Sequence, residues 1–99
     1  MQTNPSEIIR VHIWVKGRVQ GVGFRAHVEY HALEIDVMGW VRNVGWDTVE
    51  TVAEGTHQQI DQFVEMVKTG PSASRVDEAR IEYEPPTGYL NGFTVKHSM

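Results

Sequence analysis

The chain of 99 residues contains no cysteine. That absence excludes a disulfide scaffold, a thiolate zinc site, an iron–sulfur centre and any mechanism through a phosphocysteine or acyl-cysteine. Long apolar runs are missing too, and Met1 to Glu7 is polar with an acid in it. Neither a signal peptide nor a membrane span is expected, and the expected location is cytoplasmic. Positive charge is scarce: 9 Lys and Arg stand against 13 Asp and Glu, a net charge of −4. No global field favours nucleic acid or an anionic membrane, so any bound anion needs a local cradle. The length matches about one domain at roughly 100–200 residues each, with no room for separate cofactor and substrate domains. What remains is 40% hydrophobic and 22% charged, with a mean hydropathy of −0.35. This is the composition of an ordinary soluble globular protein.

Along the chain, Ile9, Val11, Ile13 and Val15 alternate with Arg10, His12, Trp14 and Lys16, the period of a strand with one buried face. The run Gly17-Arg18-Val19-Gln20-Gly21-Val22-Gly23 follows as a loop, its glycines marking backbone that turns sharply or comes close to something else. Phe24, Val28, Ala32 and Ile35 then share one face of a helix. Val37–Asn43 and Thr48–Glu54 read as strands joined by a short hairpin, Val44-Gly45-Trp46-Asp47. A second helix starts at the capping box of Thr56 and Gln59, buries Ile60, Phe63, Val64 and Val67, and stops at Gly70-Pro71. Ala79, Ile81 and Tyr83 alternate with Glu78, Arg80, Glu82 and Glu84 in a fourth strand, and a last one surrounds Phe93 to His97. The order β-α-β-β-α-β plus one appended strand is an α+β, ferredoxin-like plan, an antiparallel sheet with both helices on one face.

Gly17 to Arg25 carries the most chemical information. A glycine-rich loop feeding a helix N-terminus aims unpaired N–H groups and the positive end of the helix dipole at one spot. Arg25 falls in the first helical turn, where the dipole disfavours a cation, so its placement calls for a compensating anion. A phosphate would supply one: the guanidinium fork grips two oxygens while the amides of about Gln20 to Arg25 take the others. A tight strand-to-helix turn with a surface arginine is the plainer alternative. Gly21-Val22-Gly23-Phe24-Arg25-Ala26 formally fits a dinucleotide fingerprint, but about 20 residues on the chain has Arg42-Asn43 and no acid. No glycine is followed by Lys-Ser or Lys-Thr, which excludes a P-loop.

The stretch Gly17 to Arg25, followed by Gly39-Trp40-Val41-Arg42-Asn43, strongly resembles the acylphosphatase family. The resemblance runs from about Ile8 to Lys96 and includes Val49-Glu50, Ala53-Glu54-Gly55 and the connection from Gly70-Pro71 to Arg75-Val76. It implies one domain over residues 8–97 after a flexible tail, 1–7. It also implies hydrolysis of the carboxyl–phosphate bond of acyl phosphates without a metal or other cofactor. Gln20, Gly21, Val22, Gly23, Phe24 and Arg25 would bind the phosphate, Arg25 and Asn43 would be catalytic, and Asn43 would position the attacking water. The expected partners are a small-molecule acyl phosphate and inorganic phosphate as product and inhibitor, with no nucleic acid and no membrane; the expected state is a monomer. A non-catalytic phosphate- or anion-binding regulatory module of the same fold is the alternative. Two positions depart from the family pattern: Asp36 stands where glycine commonly ends the first helix, and Trp46-Asp47 replaces the usual Asp-Gly of the hairpin.

Other candidates are weaker. His27 and His31 stand one helical turn apart with Glu29 and Glu34 nearby, but off the core face, as surface histidines do. His12, Trp14 and Lys16, joined by Trp40 and Arg42, are expected on the outer sheet surface. Asp77, Glu78, Glu82 and Glu84 are expected to form a solvated strand face balanced by Arg75 and Arg80.

Overall fold

A computed structural model of the chain describes residues 4–99, so Met1–Thr3 of the expected tail lie outside the described residues. Asn4 to Glu7 form a small turn, with the Glu7 N–H donating to the Asn4 carbonyl at 2.9 Å. Seven elements follow: β1 (Ile8–Arg18), α1 (Phe24–Ile35), β2 (Met38–Val44), β3 (Thr48–Thr56), α2 (His57–Thr69), β4 (Arg75–Glu84) and β5 (Phe93–Val95). The sheet order is β4-β1-β3-β2-β5. The first four strands pair antiparallel, as expected, but β5 pairs with β2 in parallel. The sheet is therefore mixed rather than antiparallel throughout. A chain that crosses from the β4 edge to the opposite edge arrives running the same way as β2.

β1 and β2 run in the same direction with β3 between them. Their C-terminal ends consequently lie at one end of the sheet, where the chain leaves β1 and enters α1. The core lies between the sheet and the two helices. It holds Val11, Ile13 and Val15 from β1, Phe24, Val28 and Ala32 from α1, and Ile60, Phe63, Val64 and Val67 from α2. These are the faces expected from the helical and strand periods. β4 forms as its alternation suggests, with Ala79, Ile81 and Tyr83 opposite Val15, Ile13 and Val11, but only Ile81 of the three packs on the core. β4 is an edge strand, Ala79 is exposed, and Tyr83 is 59% exposed, because α2 does not reach far enough across to cover that edge.

α2 starts at the expected box: Thr56 Oγ1 accepts from the Gln59 N–H at 3.2 Å, and Gln59 Oε1 accepts from the Thr56 N–H at 2.8 Å. Gln59 Nε2 also donates to the Ile35 carbonyl at 3.2 Å, tying the start of α2 to the end of α1. Asp36 occupies the left-handed C-cap of α1 at φ 71°, the conformation that glycine adopts most freely.

Candidate active site

β1 runs two residues further than its alternation suggests, through Gly17 to Arg18. Gly17 sits at a register irregularity against β4, where a Cβ would collide with the Arg75 carbonyl. It serves the sheet, and the loop proper is Val19 to Gly23. There Gly21 and Gly23 adopt φ 73° and 77°, and a Cβ on either would meet nothing within 4 Å. Conformation, not crowding, is what asks for glycine at these two positions.

The two helix starts differ. Gly23 caps α1 with no side-chain hydrogen bond, whereas α2 has its box. The first intrahelical bond of α1 is from the His27 N–H to the Gly23 carbonyl at 3.0 Å. The amides of Phe24, Arg25 and Ala26 precede it and have no intrahelical acceptor. They open onto a cleft of about 320 Å³ lined by Gln20, Gly21, Gly23, Arg25, Glu29 and Asn43. Arg25 and Asn43, both half-buried, thus share one cavity although they come from α1 and β2. Arg25 has no carboxylate partner within 4 Å among the described residues.

The individual residues of the expected cradle do different things. Val22 and Phe24 turn their side chains to the core, Phe24 with 2% exposure; they have only backbone to offer an anion. The Gln20 side chain turns away as well. Its Nε2 donates to the carbonyls of Thr48, Gly45 and Val44 at 2.9, 3.1 and 3.3 Å. It clamps the loop onto the β2–β3 hairpin, fixing the distance between the cradle and Asn43. The periodicity and the motif contain no sign of this clamp, nor of Val95, which lines the cleft because β5 runs alongside β2. Glu29, expected only as a neighbour of His27 and His31, also lines the cleft, one helical turn after Arg25.

The hairpin that follows Asn43 pairs Val44 with Thr48, so the connecting loop is Gly45-Trp46-Asp47. Gly45 takes the positive φ, 59°, and Trp46 is left 84% exposed. A larger depression of about 520 Å³ lies on the other side of Gln20, between Trp46 and Arg75. It contains neither Arg25 nor Asn43, and its charges are partly paired, Lys16 with Asp47 at 3.7 Å and Arg75 with Asp77 at 2.9 Å.

His27 and His31 stack edge to face at 4.5 Å, and His31 Nδ1 lies 3.1 Å from Glu34. Burial first, and then the nearby His31, lower the pKa of His27. No three His, Asp or Glu side chains converge in a metal-holding arrangement among the described residues.

On the outer sheet face, His12 stacks on Trp14 at 3.8 Å and meets Trp40 edge-on at 6.1 Å. Arg42 and Lys96 both lie over the Trp40 ring. The expected parity therefore holds. His12 bridges Glu50 and Glu84 at 2.6 and 2.9 Å, and Arg10 bridges Glu54 and Glu84 at 2.8 and 2.9 Å. Glu84 thereby leaves the solvated row of acids and joins this network. No helix among the described residues is long and apolar enough to cross a membrane.

Fold and cleft together define a ferredoxin-like domain whose uncapped helix start, arginine and asparagine face one small cavity. The family description "Acylphosphatase" matches residues 11–95. A protein named acylphosphatase in Trichormus variabilis is 45% identical over 94 residues, covering 95% of this chain and 92% of that one. Another from Chloroflexus aurantiacus is 39% identical, covering 90% and 97%. The crystal structure of acylphosphatase from Bacillus subtilis superposes with a TM-score of 0.84 at 35% identity, over 89% of this chain and 98% of that one. The chain belongs to the acylphosphatase family.

Proposed function

We propose that this enzyme hydrolyses acyl phosphates by holding the phosphoryl group on the amides of Gln20 to Arg25 and on the Arg25 guanidinium, while Asn43 aligns the attacking water. The observation that carries this reading is the shared cleft: a helix start with no side-chain cap, an arginine with no carboxylate partner among the described residues, and an amide side chain converge in it. The water oxygen attacks phosphorus in line with the leaving oxygen. As the P–O bond to the acyl group breaks, its electron pair departs with the carboxylate, and the water proton passes to a phosphate oxygen. A carboxylate is a weak base, so its departure needs no general acid; the main requirement is to offset charge on the phosphoryl oxygens. Arginine and fixed amides meet that requirement. The Asn43 carboxamide accepts from the water through Oδ1 and donates through Nδ2, orienting it without being a strong base.

Neither a metal nor another cofactor enters this scheme, and the proposed working form is a cytoplasmic monomer. The test is steady-state hydrolysis of a synthetic acyl phosphate in EDTA, with inorganic phosphate as inhibitor and sedimentation to measure mass. The expected outcome is undiminished turnover, competitive inhibition by phosphate and a species of 11.3 kDa. Loss of turnover in EDTA would refute the metal-free scheme. Phosphate binding without any turnover would favour the regulatory module instead.

A further inference from the structure

We propose that Met99 is a positioning residue for Asn43, acting through its backbone as the end of a strap along the outer edge of β2; this inference rests on the catalytic reading of Asn43. β5 pairs with β2 at Gly39, Trp40 and Val41, and the Lys96 N–H continues the ladder to the Val41 carbonyl at 2.8 Å. The tail then bulges. Three steps from Lys96 to Met99 span the same stretch as two steps from Val41 to Asn43, because the next bond is from the Met99 N–H to the Asn43 carbonyl at 2.9 Å. The Gly45 N–H in turn donates to the Met99 carbonyl at 3.0 Å. Met99 thus exchanges bonds with the residues on either side of Val44, as one residue does across a parallel ladder.

These bonds fall where the catalytic strand needs them. Asn43 is the penultimate residue of β2, followed by a loop that opens on a positive-φ glycine and an exposed tryptophan. On its inner side that region is held by β3 and by the Gln20 clamp. On its outer side the Asn43 carbonyl is held by Met99. The tail contributes little by burial, since Lys96 to Met99 are exposed and Met99 is 70% so. What it supplies is a fixed backbone position next to a side chain whose aim at the water must hold to within about 0.5 Å. Covering a free strand edge is the purely structural role such a tail could have, and the two roles differ in what they do to kcat.

Met99→Pro removes the N–H that meets Asn43 and leaves the rest of the chain intact. Expected is a fall in kcat of about tenfold, of the kind a small misplacement causes, with KM and the calorimetric affinity for inorganic phosphate unchanged. The conservative Met99→Ala keeps the amide and restores the rate. In an Asn43→Ala background, Met99→Pro should have no further effect, because coupled positions are non-additive. A chain ending at Lys96, monitored by circular dichroism, repeats the measurement should the proline variant fold poorly. The proposal is overturned if Met99→Pro turns over within about twofold of Met99→Ala, or if its effect persists in the Asn43→Ala background. Slow Asn43→Ala beside unimpaired Met99→Pro removes the strap and leaves the catalytic reading standing. Wild-type turnover in Asn43→Ala removes both.

Discussion

Arg25 stands in the first turn of α1, where the helix dipole alone favours an acid, and among the described residues it has no carboxylate partner to offset that placement. The proposed phosphate would resolve the conflict, and on that proposal Arg25 and Asn43 should fail in different ways. Arg25→Ala is expected to lose both phosphate affinity and about 10²–10³ in turnover, because the same fork serves ground state and transition state. Arg25→Lys should recover little, since an ammonium cannot grip two oxygens at once. Asn43→Ala is expected to lower kcat sharply at nearly constant KM, because a contact made with the nucleophile adds little to substrate binding. Asn43→Asp should be no better, as a carboxylate repels the phosphate and lacks the N–H donor. Parallel calorimetry with phosphate and steady-state kinetics separate the two roles. Equal loss of phosphate binding in both alanine variants would assign Asn43 to the cradle, and an active Asn43→Asp would restore general-base catalysis.

At the scale of the elements, the ends of the helices divide the work. α2 satisfies its own N-terminal amides with Thr56 and Gln59, which makes it a support, while α1 leaves its amides open to the cleft. α1 ends less well, because Asp36 holds a left-handed φ of 71° and puts a negative charge beside the negative end of the dipole. Asp36→Gly relieves both and is expected to stabilise the fold by about 0.5–1 kcal/mol, or roughly 2–8 °C in Tm for a domain of this size. Turnover at 25 °C should not change, since Asp36 lies at the opposite end of α1 from the cleft. Thermal unfolding followed by circular dichroism checks the sign. A lower Tm would mean that the aspartate makes a compensating contact in solution.

Across the whole molecule, stability in acid should follow the ion network of the outer sheet face. Burial opposes ionisation of Glu50 and Glu54, but the hydrogen bonds they accept outweigh it and lower both pKa values: His12 and Arg42 act on Glu50, and Thr87, Arg10 and Gly88 act on Glu54. Hydrogen bonds from His12 and Arg10 lower Glu84 as well. Each carboxylate therefore binds its proton less readily folded than unfolded. The stabilisation they add is fully present above the ordinary glutamate pKa of about 4.3 and is lost as pH falls through the lower folded values. Tm should slip slightly below about pH 6.5, where His27 must take up a proton against its burial, and drop more steeply below about pH 4. Glu54→Gln should cost about 1–3 kcal/mol at pH 7 and flatten that acid limb, because Glu54 also accepts from the Thr87 and Gly88 N–H groups at 3.0 and 3.2 Å and so anchors the chain that leads to β5. An unchanged slope in Glu54→Gln would place the acid sensitivity elsewhere.

The amino-acid sequence by itself determined the local chemistry and the elements. Strand and helix periods identified the buried faces of β1, α1 and α2, since periodicity records which side of an element meets the core. Thr56 and Gln59 marked the start of α2, and Gly21 and Gly23 marked the positive-φ loop that leads into α1, because capping and positive φ are demands met within a few residues. The resemblance carried by Gly17 to Arg25 and Gly39 to Asn43 supplied the reaction. Only the tertiary structure decided the parallel course of β5, the exposure of Tyr83 and Ala79 on an edge strand, the clamp of the Gln20 side chain on the β2–β3 hairpin and the hold of Met99 on Asn43. Each of these depends on which strand lies beside which, and residues such as Gln20 and Thr48, or Asn43 and Met99, meet across separations that no local pattern records.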